Sequence, residues 1–471
     1  MAGLSAGCAL AECGYRVTIL ERRPYLGGRA SSYQHPGTGE IVDNCQHVLL
    51  GCCTNLINLY ERTGVSERIR WYDRLTFLEP GGRASVIKTS FLPAPLHTAP
   101  SFLAAHCLKL QDKLAIARAM MALMPSVPKD DGTPFLEWLR RHGQTDVAIE
   151  RFWKTVLVSA LNEELDRVSV AYAAQVFRES FLKSARAGRM GVPSAPLTEL
   201  YNAAGDYIRA RGGEVRLRSS VDSFKASASS VDICSDGQER TFDFALIAVS
   251  FDALSRILPT SIEAEPLRTS LQFFESSPIT GIHLWFDREV TDLEHAVLLD
   301  RTIQWMFNKS RLLGRAQSSG SYLELVVSSS KTLVEKSRSE IIELALRELA
   351  DFLPHIQDAK LLKATVIKEV NATYSPAPGL DQHRPGNATA WPRVFLAGDW
   401  TATGWPATME GAVRSGYMAA ESLARRAGQS NPQFLVADLP PGGIMRLFSK
   451  PLQSSRSLVV GFDGGAGCHC I

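Results

Sequence analysis

No run of apolar residues in this sequence approaches the ~18 that a membrane-crossing helix requires, so no spanning segment is predicted. The opening Met1-Ala2-Gly3-Leu4-Ser5 carries no basic stretch ahead of an apolar one, and no signal peptide is expected. An excess of charge of either sign is also missing, since 51 Lys and Arg against 49 Asp and Glu leave +2. A chain that neutralises phosphates needs a concentrated basic face, so nucleic acid is not an expected partner. Nine cysteines form an odd set without regular spacing; they make neither a disulfide framework nor a metal site, and they fit a reducing, cytoplasmic setting. The terminal Cys468-His469-Cys470-Ile471 loosely matches a prenylation box or a metal pair, but it lies in Gly-rich sequence and is assigned no function. Internal repeats and low-complexity blocks are absent. With 45% hydrophobic and 21% charged residues, the 471-residue chain reads as globular, with roughly two to four lobes.

What is present is an α/β alternation interrupted twice. Residues 2 to 13 are small and apolar and stop at Gly14, which predicts a helix, and Arg16 to Leu20 reads as a buried strand closing on Glu21. Stretches 102 to 124 and 134 to 185 have helical spacing, the second studded with Phe135, Trp138, Phe152, Trp153, Phe177 and Phe181, and predict an inserted helical lobe. A helix over Leu197 to Ala210, then strands over Glu214 to Leu217, Ser230 to Cys234 and Phe244 to Val249, return the chain to α/β. Strand-like runs at Ile279 to Phe286 and Leu323 to Ser328, with a helix over 332 to 353, predict a second insertion. Val394 to Ala397 reads as a strand leading into Gly398-Asp399 and a helix from Thr408 to Arg426. From Gly428 onward a flexible tail is expected.

A dinucleotide fold puts a Gly-rich turn between its first strand and first helix, so that backbone N–H groups approach a pyrophosphate at the positive helix end. Gly3 stands where the last of those glycines belongs, and Glu21, 18 residues on, has the spacing of an acid that binds a ribose hydroxyl. The strand and two glycines that should precede Gly3 are not there, which predicts a truncated first strand, through a late start or a defective chain. Gly3-Leu4-Ser5-Ala6-Gly7 also fits the G-x-S-x-G elbow of serine hydrolases. That reading fails because the elbow needs a strand and an oxyanion loop before it.

Glu21-Arg22-Arg23-Pro24-Tyr25-Leu26-Gly27-Gly28-Arg29 resembles the E-x(5)-G-G-R signature of the flavin amine oxidase and phytoene desaturase superfamily. Val394 to Ala397 with Gly398-Asp399-Trp400 and the small-residue helix after it is similar to that superfamily's C-terminal flavin motif. The resemblance implies a two-lobed α/β protein of the FAD-dependent amine-oxidase type, binding FAD non-covalently. Its Rossmann-type FAD domain is assembled from 1–70, 197–255 and 366–427, a mixed sheet-and-helix substrate lobe from 71–196 and 256–365, and 428–471 is tail. Gly3, Gly27 and Gly28 let the chain pass the cofactor closely, Glu21 faces the ribose and Arg29 the diphosphate. Asp399, after Gly398, serves the ribityl chain or diphosphate, Ala407, Thr408 and Met409 aim a helix start at the flavin ring, and Val221 completes the implied cofactor set.

Within the superfamily, Asp43-Asn44-Cys45-Gln46-His47-Val48-Leu49-Leu50-Gly51 resembles the D-N-G-Q-H-x-x-x-G segment of the squalene-associated branch, the hydroxysqualene dehydroxylases of hopanoid biosynthesis. Leu161-Asn162, Ser277-Pro278-Ile279 through His283-Leu284-Trp285-Phe286-Asp287, Gln304 to Phe307 and Pro406 to Ala412 are similar to further segments of that branch. Cys45 stands where the branch has Gly, so a positive φ at that position is at issue. The resemblance implies reductive dehydroxylation of hydroxysqualene to squalene by reduced FAD, recharged by an unidentified reductant, with His47, Gln46 and Asp43 as acid or polar anchor. A lone histidine such as His47 serves packing as readily as chemistry. A carotenoid desaturase running the opposite electron flow, and an FAD-fold scaffold without cofactor, remain the alternatives. A C30 substrate is confined to lipid, so contact with the inner face of a membrane is expected through Phe91 to Met124.

Overall fold

The computed structural model describes residues 1–314 and 320–448; the motif at Cys468 to Ile471 and the rest of 449–471 lie outside the described residues. In chain order the main elements are α1 (Ala2–Glu12), β1 (Thr18–Glu21), α2 (Leu110–Leu123), α3 (Thr155–Leu161), α4 (Leu197–Arg209), β2 (Glu214–Leu217), β3 (Ala245–Ile247), β4 (Ser276–Phe286), β5 (Trp305–Asn308), β6 (Ser321–Ser328), α5 (Arg338–Phe352), β7 (Leu361–Tyr374), β8 (Val394–Leu396) and α6 (Met409–Arg426).

Two parallel pairs carry one end of the molecule. β1 runs beside β2 from Thr18–Glu214 to Glu21–Leu217, and β3 runs beside β8 from Ala245–Val394 to Ile247–Leu396. Among the described residues no strand joins the two pairs. Parallel strands need both faces covered, and α1, α4 and α6 supply one cover: Leu4, Cys8, Tyr201, Ile208, Phe395 and Tyr417 share one buried cluster. Small side chains let α1 and α6 touch, and Ser5 Oγ lies 3.2 Å from Val413 O across that contact.

The second body is a seven-stranded sheet in the order β7, β4, β6, β5, then His295–Leu298, Arg74–Leu78 and Ala84–Lys88. Alternation along its strands separates two faces. Ile282, Leu284, Leu323 and Leu325 pack on Ile341, Ala345 and Leu349 of α5, a helix opened by a capping box between Ser337 and Glu340. The opposite face carries His283, Glu324 and Phe307 in one cross-strand row. Above it stands the helical lobe, in which Phe135, Trp153 and Phe177 are wholly buried, the two phenylalanine rings stacked and Trp153 edge-on to both.

Several expected boundaries move. The stretch 102 to 124 is two helices, because Asp112 turns back to accept from the Lys109 N–H at 2.9 Å and starts α2 afresh. The helix expected from 332 begins at Arg338, where the cap sits. Around the expected strand 230–234 lies a three-stranded antiparallel meander, Val221–Ala226, Val231–Ser235 and Gln238–Phe242. Residues 428 to 448 are not a loose tail: Phe434 is buried with its N–H on Glu421, Val436 N–H meets Asn55 Oδ1 at 2.8 Å, Asp438 pairs with Arg414, and Met445 is buried in the helical lobe. Single well-placed side chains hold this polar segment, so its composition does not reveal them. No helix of the described residues is long and apolar enough to cross a membrane.

Candidate functional site

The start of α1, Glu21, Arg29 and Asp399 converge. The amino group of Met1 is buried with those three side chains as its charged surroundings, and burial lowers its pKa to about 6. Glu21, at the end of β1, accepts from the Arg23 N–H at 2.8 Å through Oε1. The turn that follows passes through Gly27 and Gly28, both with positive φ (108° and 65°), and a Cβ placed on Gly28 would meet nothing within 4 Å. Arg29 donates to Asp399 and, at 2.9 Å, to Ala372 O of β7. The two motif ends, 370 residues apart in sequence, thus form one ion pair. Gly398 has φ 153°, and a Cβ there would lie 2.3 Å from Trp400 Nε1, so the turn presenting Asp399 admits only glycine. Thr408 caps α6 by accepting from the Gly411 N–H at 3.0 Å, next to buried Ala407 and to Met409, whose sulfur receives the Tyr201 hydroxyl. Gly3 sits in the first turn of α1, where N–H groups lack intrahelical acceptors. Val221 opens the meander two residues after Ser219, whose N–H donates to Glu21 O at 2.9 Å.

These residues fit a dinucleotide. A helix end with unsatisfied N–H groups, an acid at the strand end, a fixed guanidinium and open space beside Gly28 are the donor and acceptor set that a ribose and a diphosphate require.

A second cluster lies where residues 43 to 47 seat on the large sheet. The approach is close, since a Cβ on Gly281 would lie 2.9 Å from Asn44 O. Cys45 does not have positive φ, so the backbone tolerates it in place of glycine. Lys309, just after β5, donates to Asp43 Oδ2 and to Gln46 Oε1, each at 2.7 Å, and stands 3.5 Å from Glu324 Oε2. Asp43 also accepts from Ser32 Oγ at 2.6 Å and from the Leu197 N–H at 3.2 Å. Burial pushes the Asp43 pKa up, but Lys309 and these hydrogen bonds outweigh it and hold the carboxyl below its ordinary value. Glu324, fully buried and with neither oxygen hydrogen-bonded, goes the other way: burial lifts it to about 8 against the pull of Lys309. The two carboxyls of the cluster are thus pushed in opposite directions, Asp43 toward its anion and Glu324 toward its acid form, with the Lys309 ammonium between them.

Asp43 and Gln46 therefore act on Lys309. His47 donates through Nδ1 to Cys45 O at 2.8 Å, and burial keeps its pKa below the usual imidazole value. Burial favours the neutral ring, and this hydrogen bond favours the tautomer with Nε2 as an acceptor. Lys309 and Glu324 escape sequence reasoning, although a lone charge within Tyr322-Leu323-Glu324-Leu325-Val326 is an available signal. Beside Glu324, His283 Nε2 and Trp285 Nε1 are also buried without partners, on the same sheet face. Val48, Leu50, Ile279, Trp305, Phe307 and Val326 continue that face as an apolar wall.

Two further residues fix the geometry. Asn162, the left-handed cap of α3 (φ 56°), donates to Ser277 O at 3.0 Å and Thr373 Oγ1 at 2.9 Å and accepts from the Ser329 N–H at 2.6 Å, tying the helical lobe to the ends of β4, β6 and β7. Arg384, whose side chain is wholly buried, donates to the carbonyls of Asp399, Thr401 and Trp405 and to the Tyr172 hydroxyl. It clamps the loop that presents Asp399.

Parallel pairs whose helix start meets an acid, a Gly-Gly-Arg turn and a Gly-Asp turn, joined to a large mixed sheet, define a flavin-dependent oxidoreductase of two bodies. Residues 1–424 match the flavin containing amine oxidoreductase family, and the chain belongs to it; its cofactor is FAD. The chain is 27% identical over 459 residues to 15-cis-phytoene desaturase of Synechococcus elongatus, covering 90% of this chain and 94% of that one. It is 26% identical over 471 residues to zeta-carotene desaturase of Synechocystis sp., covering 90% and 95%. Among solved structures, an oxidoreductase from Methanosarcina mazei superposes with a TM-score of 0.69 at 16% identity over 88% of this chain and 96% of that one. Putrescine oxidase bound to putrescine superposes with 0.66 at 16% identity over 91% and 96%.

Proposed function

We propose that the chain removes the allylic hydroxyl of hydroxysqualene, giving squalene and water. The observation that carries this reading is the buried carboxyl of Glu324, without a hydrogen-bond partner and 3.5 Å from Lys309 Nζ, at the edge of an apolar wall and facing residues 43 to 47. Loss of hydroxide from carbon needs an acid: the C–O bond breaks with its electron pair on oxygen, and a proton joins that oxygen so that water leaves. Glu324 holds such a proton at neutral pH. Lys309 keeps its own proton because its neighbours, the Asp43 carboxylate first among them, outweigh burial, and its charge steadies the carboxylate that Glu324 becomes. Reduced FAD, when bound, supplies the hydride that closes the carbon, and a two-electron reductant must recharge it afterwards. Trp305, Phe307 and Val326 keep water from the electron-poor carbon, and Glu21, Arg29 and Asp399 hold the cofactor.

A desaturase reading is favoured by the carotenoid-desaturase relatives and would use oxidised FAD with an acceptor for the substrate proton, for which neutral His47 is suited. The two readings need opposite flavin redox states. Anaerobic single turnover of the FAD-loaded chain tests them: squalene formed from hydroxysqualene only by the reduced protein, with a loss of about 10²-fold or more in Glu324→Gln, is the expected result. Desaturation of phytoene by the oxidised protein, with no squalene from the reduced one, overturns the proposal.

A further inference from the structure

α2 is apolar on both sides. Ala115, Ile116, Ala119 and Leu123 face the helical-lobe core, yet Leu110, Leu114 and Met121, 65%, 61% and 61% exposed, line the opposite side within about 40° of one another. A helix of this kind on a protein surface lacks a partner. Leu103, at the end of the preceding short helix, is exposed too, and Phe91, in the loop before it, is 95% exposed. The chain returns to this region some 350 residues later: the Ile444 N–H donates to Ala94 O at 2.9 Å, Met445 inserts into the core beneath α2, and Leu447, 81% exposed, follows on the outside.

The charge around these side chains is mainly positive. Between Ala84 and Asp131 stand five Lys or Arg (Lys88, Lys109, Lys113, Arg118 and Lys129) against three acids, Asp112, Asp130 and Asp131; Asp130 is half-buried and accepts from the Gly379 N–H at 2.8 Å, and Asp131 is exposed. Asp112 is wholly buried, engaged with Thr145 Oγ1 and the Lys109 N–H, so it offers nothing to the outside. Lys113 is turned inward to Leu103 O and Ala105 O, while Lys88, Lys109, Arg118 and Lys129 are exposed.

We infer that Phe91, Leu103, the outer side of α2 and Leu447 form one docking surface for an anionic lipid bilayer, the apolar side chains entering the acyl boundary and the flanking Lys and Arg meeting headgroups. Apolar area flanked by an excess of exposed Lys and Arg over exposed acid is the complement of such an interface. The surface rests on these exposures and charges, independently of the reaction proposed above.

Flotation of the FAD-loaded chain with phosphatidylcholine vesicles, with and without phosphatidylglycerol, tests it. The protein is expected to rise only with vesicles that contain phosphatidylglycerol. Phe91→Asp/Leu447→Asp should leave it at the bottom, and Lys109→Gln/Arg118→Gln should weaken partitioning about 30-fold, about fivefold per positive side chain. Unchanged flavin absorbance and melting temperature establish that both variants are folded. Wild type staying at the bottom, equal flotation without phosphatidylglycerol, or flotation untouched by the aspartates each overturns the inference. So does a dimer in light scattering that the aspartates break while vesicle binding persists, which would give this face to a second copy of the chain.

Discussion

Replacing Glu324 by Gln keeps the shape of the side chain and removes its ionisation, which isolates what a buried acid does to stability. In the native chain its pKa is lifted from 4.5 to about 8 by burial, with Asp43 opposing and Lys309 favouring its ionised form and His283 across the strand held neutral, pushed down to about 3. Because the folded value is raised, the native state keeps a proton that the unfolded chain has already released. Stability relative to alkaline solution is therefore fully present below pH 4.5, falls as pH rises and levels off above about 8. At about 1.4 kcal/mol per pH unit, the interval from about pH 5 to about pH 8 corresponds to a loss of about 4 kcal/mol in wild type that Glu324→Gln does not suffer. Buried His47 and His295, which do not feel Glu324, act equally on both proteins and cancel in the difference. Equilibrium urea unfolding followed by tryptophan fluorescence, repeated across this range, gives the two curves. They should diverge steadily, with the variant gaining on wild type as pH rises. Parallel curves would mean that Glu324 ionises as it does in the unfolded chain, and the proton source in the proposed reaction would be lost with it.

Lys309→Met should destabilise the fold by about 3–5 kcal/mol, because it leaves the Asp43 carboxylate buried without its cation, and adding Asp43→Asn should recover most of that loss; additive effects in the unfolding cycle would refute the pairing. Arg384→Met frees the 399–405 loop and should weaken FAD binding about tenfold, measured by flavin fluorescence titration, and an unchanged dissociation constant would show that the clamp does not reach the cofactor.

The parts of the site legible in sequence are those whose demands are local. Gly27-Gly28-Arg29 and Gly398-Asp399 are short turns whose residue types follow from backbone conformation and close approach, so each is readable alone, and the ion pair of Arg29 with Asp399 follows once the fold brings the turns together. Lys309 and Glu324 are different. Their partnership depends on sheet register, which sets His283, Glu324 and Phe307 abreast, and on the seating of Asn44 over Gly281. Nothing near either residue in the chain encodes that. Arg384 reads as an ordinary solvated arginine within Gln382-His383-Arg384-Pro385, because its acceptors are carbonyls of a loop 15 to 21 residues on. The strands 221–226 and 238–242 that flank the expected one in the meander escape notice because they are largely exposed and polar, without an apolar run to mark them.

The joining of Arg29 to Asp399 also has a bearing on how the protein is made. Ribosomes add about 5–20 residues per second, so the guanidinium waits roughly 20–75 s for a carboxylate 370 residues downstream. For most of that interval α1, β1 and the Gly-Gly-Arg turn stand outside the exit tunnel, while Asp399 and the α6 covering helix do not yet exist. The paired Arg29–Asp399 site thus forms only after residue 399 is made, and until α6 arrives the growing chain depends on whatever shields its apolar α1 face.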